Sequence, residues 1–227
     1  MKKLVLSAAL VAGLFVANPA SAQSQLAATT KTAKVAKAAT AYQIETSQSN
    51  LEWNGKKVTG EHSGNINISK GEILVNGNKI VGGNVLIDMT SISNTDLTDQ
   101  SYNQKLVGHL KSEDFFSSEK HPTGNFKITS VAPIKGAKTG AANYTVNGDL
   151  TIKGITKPIA FPAVINVKNG VASATGTATL DRTKWDIRYG SKSFFPNIAD
   201  KAIYDDFTVK FNLLAKKESA SLRASTK

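Results

Sequence analysis

The sequence predicts an all-β domain with one short helix, on three observations. Apolar side chains recur at every second position in segment after segment, turn dipeptides separate several of these segments, and only one stretch has helical spacing. The alternation is clearest where Val58, Gly60, His62, Gly64, Ile66 and Ile68 share one face while Thr59, Glu61, Ser63, Asn65 and Asn67 share the other. Tyr144, Val146, Gly148, Leu150 and Ile152 repeat the pattern, as do Phe207, Val209, Phe211 and Leu213. Further strands are predicted over 42–46, 50–54, 73–75, 80–89, 124–131, 159–167 and 171–180, with turns at Asn76-Gly77 and Asn169-Gly170. Tyr102, Leu106, Val107 and Leu110 predict a helix over 100–110.

One-sided strands in this number either stack as a sandwich or close into a barrel. Ala172, Ala174, Gly176 and Ala178 occupy one face of a single strand, and Gly60, Gly64, Gly83 and Gly148 fall on inward faces of others. Small inward residues either leave a lumen or are filled by large neighbours, and the pattern alone permits both. No Pro/Ser-rich linker interrupts residues 41–215, which are read as one domain.

The flanks predict export. Lys2 and Lys3 precede an apolar run from Leu4 to Ala17, and Pro19-Ala20-Ser21-Ala22 supplies a small-residue cleavage site, so residues 1–22 read as a signal peptide cut after Ala22. The run is too short to cross a bilayer comfortably, and no stable membrane anchor is expected. Residues 23–40 read as a flexible leader rich in Ala, Thr and Lys, and residues 216–227 as a disordered basic tail. These flanks carry most of the +11 net charge, leaving +3 for residues 41–215. A nucleic-acid partner is therefore not expected, because such modules concentrate positive charge on the folded face.

Signals for catalysis are sparse. There is no cysteine, no HExxH and no Gly-x-Ser-x-Gly, so neither a metal nor a cofactor is expected. The spacing of Gly55 and Gly60 mimics a phosphate loop, yet Glu61-His62 stands where Lys-Ser/Thr is required. Asp181, Asp186, Asp205 and Asp206 read as solvated or turn-forming acids. Of three histidines, His109 and His121 are expected at the surface, whereas alternation turns His62 inward, where a buried imidazole needs a partner.

Asp114-Phe115-Phe116, Glu119-Lys120-His121-Pro122-Thr123 and the run NYTVNGDLTIKGITKPIAFP from Asn143 to Pro162 resemble the YceI-like family of exported polyisoprenoid-binding proteins. Residues 181–207 look like the branch common in Bacteroidetes. The resemblance covers about Tyr42 to Ala215 and implies an extended lipocalin-like antiparallel barrel, with a long isoprenoid in an apolar tunnel and a polar head near the mouth.

On that reading the tunnel and mouth are formed by Trp53, Val58, His62, Ile66, Val85, Ile87, Phe115, Phe116, Phe126, Phe161, Ala174, Trp185, Phe194 and Phe195. The pairs Phe115-Phe116 and Phe194-Phe195 stand in irregular segments, as lid residues would. Arg182, Arg188 and Lys192 are the head-group candidates, since guanidinium and ammonium groups donate charge-assisted hydrogen bonds to phosphate. The expected function is a non-catalytic periplasmic carrier or sequestering protein, with homodimer formation left open. Two rivals stand beside it: an enzyme using His62 with an acid, and a structural or stress-associated module whose barrel is packed solid.

Overall fold

The computed structural model describes residues 38–218. The predicted signal peptide, most of the leader and the end of the tail lie outside the described residues.

Among the described residues nine strands form one antiparallel sheet: β1 (Thr40–Ile44), β2 (Asn50–Lys57), β3 (Gly60–Asn76), β4 (Lys79–Asp88), β5 (Thr123–Pro133), β6 (Tyr144–Ile152), β7 (Ile155–Lys168), β8 (Val171–Asp181) and β9 (Ile203–Lys217). Each strand from β2 to β9 pairs with its sequence neighbour, and β9 returns to β2, so the sheet closes on itself. β1 and β2 share one position of the ring. β1 pairs the far ends of β3 and β9 (Tyr42 opposite Ile73 and Lys217), while β2 pairs their near ends (Leu51 opposite Ile66 and Phe211). A 3-10 turn at Thr46–Gln48 interrupts the shared position, and the Ser49 hydroxyl oxygen accepts the Leu214 N–H at 3.0 Å across the break. The result is an eight-position barrel with one helix, as predicted. Closure removes the exposed edges that an open sheet would present.

The long strands correct the sequence reading in one respect. Segments 60–68 and 73–75 are one strand of seventeen residues, because the register slips between Ile68 and Lys70. One extra residue flips the parity of the side chains, so inward positions run through Ile66 and Ile68 and then through Gly71, Ile73 and Val75. Similar slips fall at Leu74/Val75 opposite β4 and at Ile128/Ser130 in β5.

Two-residue turns join β2 to β3, β3 to β4, β6 to β7 and β7 to β8, and longer connections join the rest of β2–β9. The β7–β8 hairpin closes with Asn169 at φ 53° and Gly170 at φ 77°, the left-handed pair that a two-residue type I′ turn requires. The two long connections, 89–122 and 182–202, lie at the same end as the β2–β3 and β6–β7 hairpins. The helix α1 (Gln100–Lys111) sits in the first of them. Asp99 caps it, accepting the Tyr102 N–H at 3.0 Å, and His109 and Lys111 complement the dipole in its last turn.

Two buried clusters build the two ends of the barrel wall. Ile73, Val75, Ile80, Val146, Ile165 and Ala215 belong to the cluster toward the far end, and Phe115, Leu150, Ile152, Leu180, Trp185 and Ile187 to that beside the long connections. Phe126 and Phe161 touch both. Their rings stand 5.5 Å apart by centroid, and Phe161 meets Phe211 at 5.3 Å, forming an aromatic waist.

The waist decides between the two readings of the small residues at Gly148 and Gly176. A Cβ on Gly148 would run into the Phe126 ring, and one on Gly176 would lie 2.7 Å from Phe211. Gly64 is occupied differently: the Ser93 carbonyl packs directly over it, held by the Trp53 indole N–H at 3.0 Å. These glycines are seats for rings and a loop.

Candidate functional site

The barrel axis holds an apolar cavity of about 410 Å³. That lies within the range of about 300–1,000 Å³ typical of small-molecule sites. Along β9 the lining runs from Ile203 to Ala215, roughly 40 Å of strand at ~3.3 Å per residue. At a strand tilt of about 40° this spans roughly 30 Å along the axis. The cavity therefore runs the length of the barrel. Ala172, Ala174 and Ala178 form one wall, while Ile73, Ile80, Val131, Ile165 and Leu213 enclose the far end.

Polar lining concentrates at the other end. Lys56, Lys57, His62, His109, Arg182, Tyr204 and Asp206 gather where the β2–β3 hairpin, α1 and the start of β9 meet. In the rest of the wall, among the described residues, the side chains with a nitrogen or oxygen are Ser173 and Trp53, whose indole N–H is given to the Ser93 carbonyl. A chain with an apolar body and one polar end has a single orientation that matches this distribution.

The 89–122 connection covers the mouth. Leu106 and Leu110 of α1 face the cavity together with Phe115 and Phe116, and Phe116 packs edge-on to Phe207 at 6.3 Å. Asn103 ties the helix to the preceding loop by donating to the carbonyls of Asn94 and Leu97 at 3.1 and 3.0 Å. Tyr102, which helical spacing placed with the apolar set, instead stands exposed.

His62 is not buried in the core. It lines the mouth, half-exposed, with Nδ1 2.8 Å from the Asp96 carboxylate. Asp96 also accepts the Ser63 N–H at 2.8 Å and the Asn94 amide at 2.5 Å. Burial pushes the Asp96 pKa up, but those two bonds and His62 outweigh it and hold the carboxyl below the usual range. An ionised Asp96 thus fixes the imidazole and pins residues 94–96 across the end of β3. His109, expected at the surface, packs edge-on against Phe115 at 4.9 Å and Tyr189 at 4.5 Å and reaches the cavity.

Of the predicted tunnel residues, the structure brings Trp53, His62, Ile66, Val85, Ile87, Phe115, Phe116, Phe126, Phe161 and Ala174 to the cavity wall. Val58 is elsewhere: it sits in the β2–β3 turn, 42% exposed, because β3 begins two residues later than the alternation implied. Trp185 is wholly buried behind the wall, its indole N–H donating to the Leu150 carbonyl at 3.1 Å. Phe194 and Phe195 lie on the outer tip of the 182–202 connection, away from the lumen.

The head-group candidates also separate. Arg182 lines the mouth but its guanidinium is fully engaged: Nε donates to the Tyr204 carbonyl, one terminal nitrogen to Ile187 and Tyr189, the other to Ile203 beside Asp205. Burial lowers its pKa, opposed by Asp205 and Asp181. With four of its five N–H groups given to backbone carbonyls, Arg182 is a staple that closes the 182–202 connection. Arg188 is exposed, paired with Asp186 at 2.5 Å and stacked over Phe194 at 4.8 Å; Lys192 is exposed on the same tip. The mouth residues Lys56, Lys57 and Tyr204 escaped the sequence reading, and Asp206 was read only as a solvated acid, since the β2–β9 register slips between Gly55 and Lys57 and alternation no longer indicates which side chain faces in.

Among the described residues no group of three His, Cys, Asp or Glu side chains gathers as a metal site would, and no helix is long and apolar enough to cross a membrane.

The YceI-like domain model matches residues 42–215. The chain belongs to the YceI-like family. Among curated relatives it is 40% identical over 86 residues to a UPF0312 protein of Ectopseudomonas mendocina, a match covering 35% of this chain and 42% of that protein. It is 42% identical over 55 residues to the UPF0312 protein plu2095 of Photorhabdus laumondii, covering 24% and 26% of the two chains. The chain thus spans between a quarter and about two fifths of the length of these relatives. Two solved structures share the fold. One is Burkholderia cenocepacia BcnA (TM-score 0.58, 21% identity, 76% of this chain and 99% of that one). The other is a polyisoprenoid binding domain from Saccharophagus degradans (TM-score 0.56, 14% identity, 79% and 99%).

Proposed function

We propose that this YceI-like barrel carries or sequesters a polyisoprenoid or similar long-chain lipid outside the bacterial cytoplasm, and does so without chemistry. The observation that carries the reading is the cavity itself, predominantly apolar along the barrel with its charged lining gathered at one mouth. Membership in the YceI-like family and the resemblance of the fold to a polyisoprenoid binding domain support it. The signal-like residues 1–22 support export to the periplasm.

Burial supplies the driving force, and its size favours a long ligand. Enclosing a methylene contributes about 0.8 kcal/mol. Association itself costs roughly 4–15 kcal/mol in lost freedom. Ten methylenes, at ~8 kcal/mol, about break even on this scale, whereas twenty, at ~16 kcal/mol, exceed the cost. Extraction of the purified protein with organic solvent, followed by mass spectrometry, tests the reading: an intact long-chain lipid is expected, and an empty extract from protein purified without detergent counts against it.

One observation favours a second reading. The Asp96-oriented imidazole of His62 at the cavity mouth has the arrangement of a general base with its orienting carboxylate. A modifying enzyme acting on the head of a bound lipid would use it, and recovery of a chemically altered lipid is the outcome that would select this reading.

A further inference from the structure

The mouth end carries a surface feature that the cavity does not account for. Large apolar side chains that remain exposed are few among the described residues, and most lie at one end: Val58, Tyr102, Tyr189, Phe194, Phe195 and Tyr204. Val58 tops the β2–β3 hairpin, Tyr102 sits on α1, Tyr189, Phe194 and Phe195 belong to the 182–202 connection, and Tyr204 opens β9. All these elements meet at the mouth. Only Val81 and Val164 fall elsewhere.

We infer that this end docks on the surface of a lipid bilayer, with Phe194 and Phe195 inserted at its interface so that the cavity mouth faces the membrane. The inference rests on the lipid-carrier reading and deepens it by naming the partner surface. Three features of the patch match a bilayer interface. Its apolar groups are mainly aromatic, and amphipathic rings favour the headgroup level. Cations stand beside them: the Arg188 guanidinium lies 4.8 Å over the Phe194 ring, the Lys105 ammonium 5.5 Å from Tyr102, and Lys57 and Lys192 flank Val58 and Phe194 in sequence. Lys57, Lys105 and Lys192 have no carboxylate partner among the described residues, so their charge is available to lipid phosphates. Third, the tip has a firm base. Arg182 staples the connection, Trp185, Ile187 and Ser191 beneath it are wholly buried, and the Phe195 N–H donates to the Ser191 carbonyl at 2.8 Å. Phe194 and Phe195, 41% and 49% exposed, are thus held outward by a packed platform.

A long-chain lipid that leaves the cavity into water loses the burial that held it, whereas one that leaves through a mouth seated on a bilayer does not. The placement of the patch around the mouth is the geometry such transfer requires.

Flotation of the full chain with phosphatidylcholine vesicles, with and without 30% phosphatidylglycerol, tests the inference. The wild type should float with both, more strongly with the anionic lipid and less so at high salt. Phe194→Ser/Phe195→Ser should reduce the floated fraction about tenfold on phosphatidylcholine, and Lys192→Glu should reduce the anionic increment while leaving phosphatidylcholine binding alone. Organic extracts of the same preparations read the cavity separately. Equal flotation of wild type and the double Phe variant overturns the docking inference even if both contain lipid. An empty extract from protein whose Phe-dependent flotation persists overturns the carrier reading and leaves the docking surface standing. If the wild type is a dimer that the double variant makes monomeric, without flotation of either, the patch belongs to a second copy and the inference fails.

Discussion

Phe211 stands directly across the sheet from Gly176, and a Cβ on that glycine would lie 2.7 Å from both the ring's Cζ and the Pro162 carbonyl oxygen. The missing side chain and the ring are complementary halves of one packing unit, in which an aromatic group covers the backbone that a strand glycine exposes. Gly176→Val should destabilise the barrel by about 1–3 kcal/mol, the usual cost of overpacking. Gly176→Ala combined with Phe211→Leu should recover part of the loss from Gly176→Ala, because the ring clash is relieved while the carbonyl clash remains. Urea unfolding of the single and double variants measures the coupling, and strictly additive effects would count against the paired arrangement.

The pairing also shows where the sequence was legible and where it was not. Alternation located the strands, the type I′ turn at Asn169-Gly170 and the helix, because each follows from local spacing. The ring seats at Gly148 and Gly176 depend on which ring the adjoining strand brings over them, and the register of strands joined by ten or more residues leaves no local trace. Arg182 is the same case. As a lone arginine after Asp181 it reads as a head-group ligand, and only the folded connection reveals four carbonyls converging on it. His62 was legible as an inward-facing polar residue but not as a mouth residue, since its partner Asp96 arrives from a connection thirty-four positions away.

Arg182 yields the second prediction. Replacing it with Met leaves the Ile187, Tyr189, Ile203 and Tyr204 carbonyls without their donor and the Asp205 carboxylate without its ion-pair partner. Removing one partner of a buried charged network costs about 3–5 kcal/mol. Hydrogen exchange should accelerate across residues 187–204, and Arg182→Lys should restore little, since a single ammonium cannot reproduce the fork. Unchanged exchange in Arg182→Met would show that the connection is held by Trp185 and Ile187 alone.

Ala174 separates an open tunnel from a packed wall. It faces the cavity between Ile165 and Leu213 on the adjoining strands. Ala174→Trp should fill lumen, abolish lipid recovery and leave the melting temperature near that of the wild type. Lipid recovered at the wild-type level would place the ligand elsewhere, and an unfolded variant would mark the site as packed core.

Asp96 sets an acid limit. Its folded pKa is depressed, so its contribution to stability is full above the unfolded carboxylate value near ~3.9 and fades as pH falls through the lower folded value. Asp96→Asn should melt a few degrees below the wild type at neutral pH, and the difference should shrink as pH falls below the unfolded carboxylate value. Calorimetric melting temperatures across pH 2–7 provide the check; a constant difference would mean that the carboxylate charge is not what holds the 94–96 segment.

The last prediction concerns His62, on which the carrier and enzyme readings diverge. As a general base oriented by Asp96, His62 must accept a proton in the reaction, so His62→Gln would leave a bound lipid unconverted. As a mouth contact in a carrier, the same change should weaken lipid retention and leave the lipid's chemistry alone. As only a latch for residues 94–96, it should lower stability by about 0.5–1.5 kcal/mol, the net worth of one hydrogen bond, and leave ligand content and identity unchanged. Mass spectra of organic extracts from wild type and His62→Gln, read beside their melting curves, distinguish the three. The carrier reading expects the same intact lipid from both proteins, with less of it from the variant. A product from the wild type against unreacted lipid from His62→Gln would assign the barrel to the enzymes.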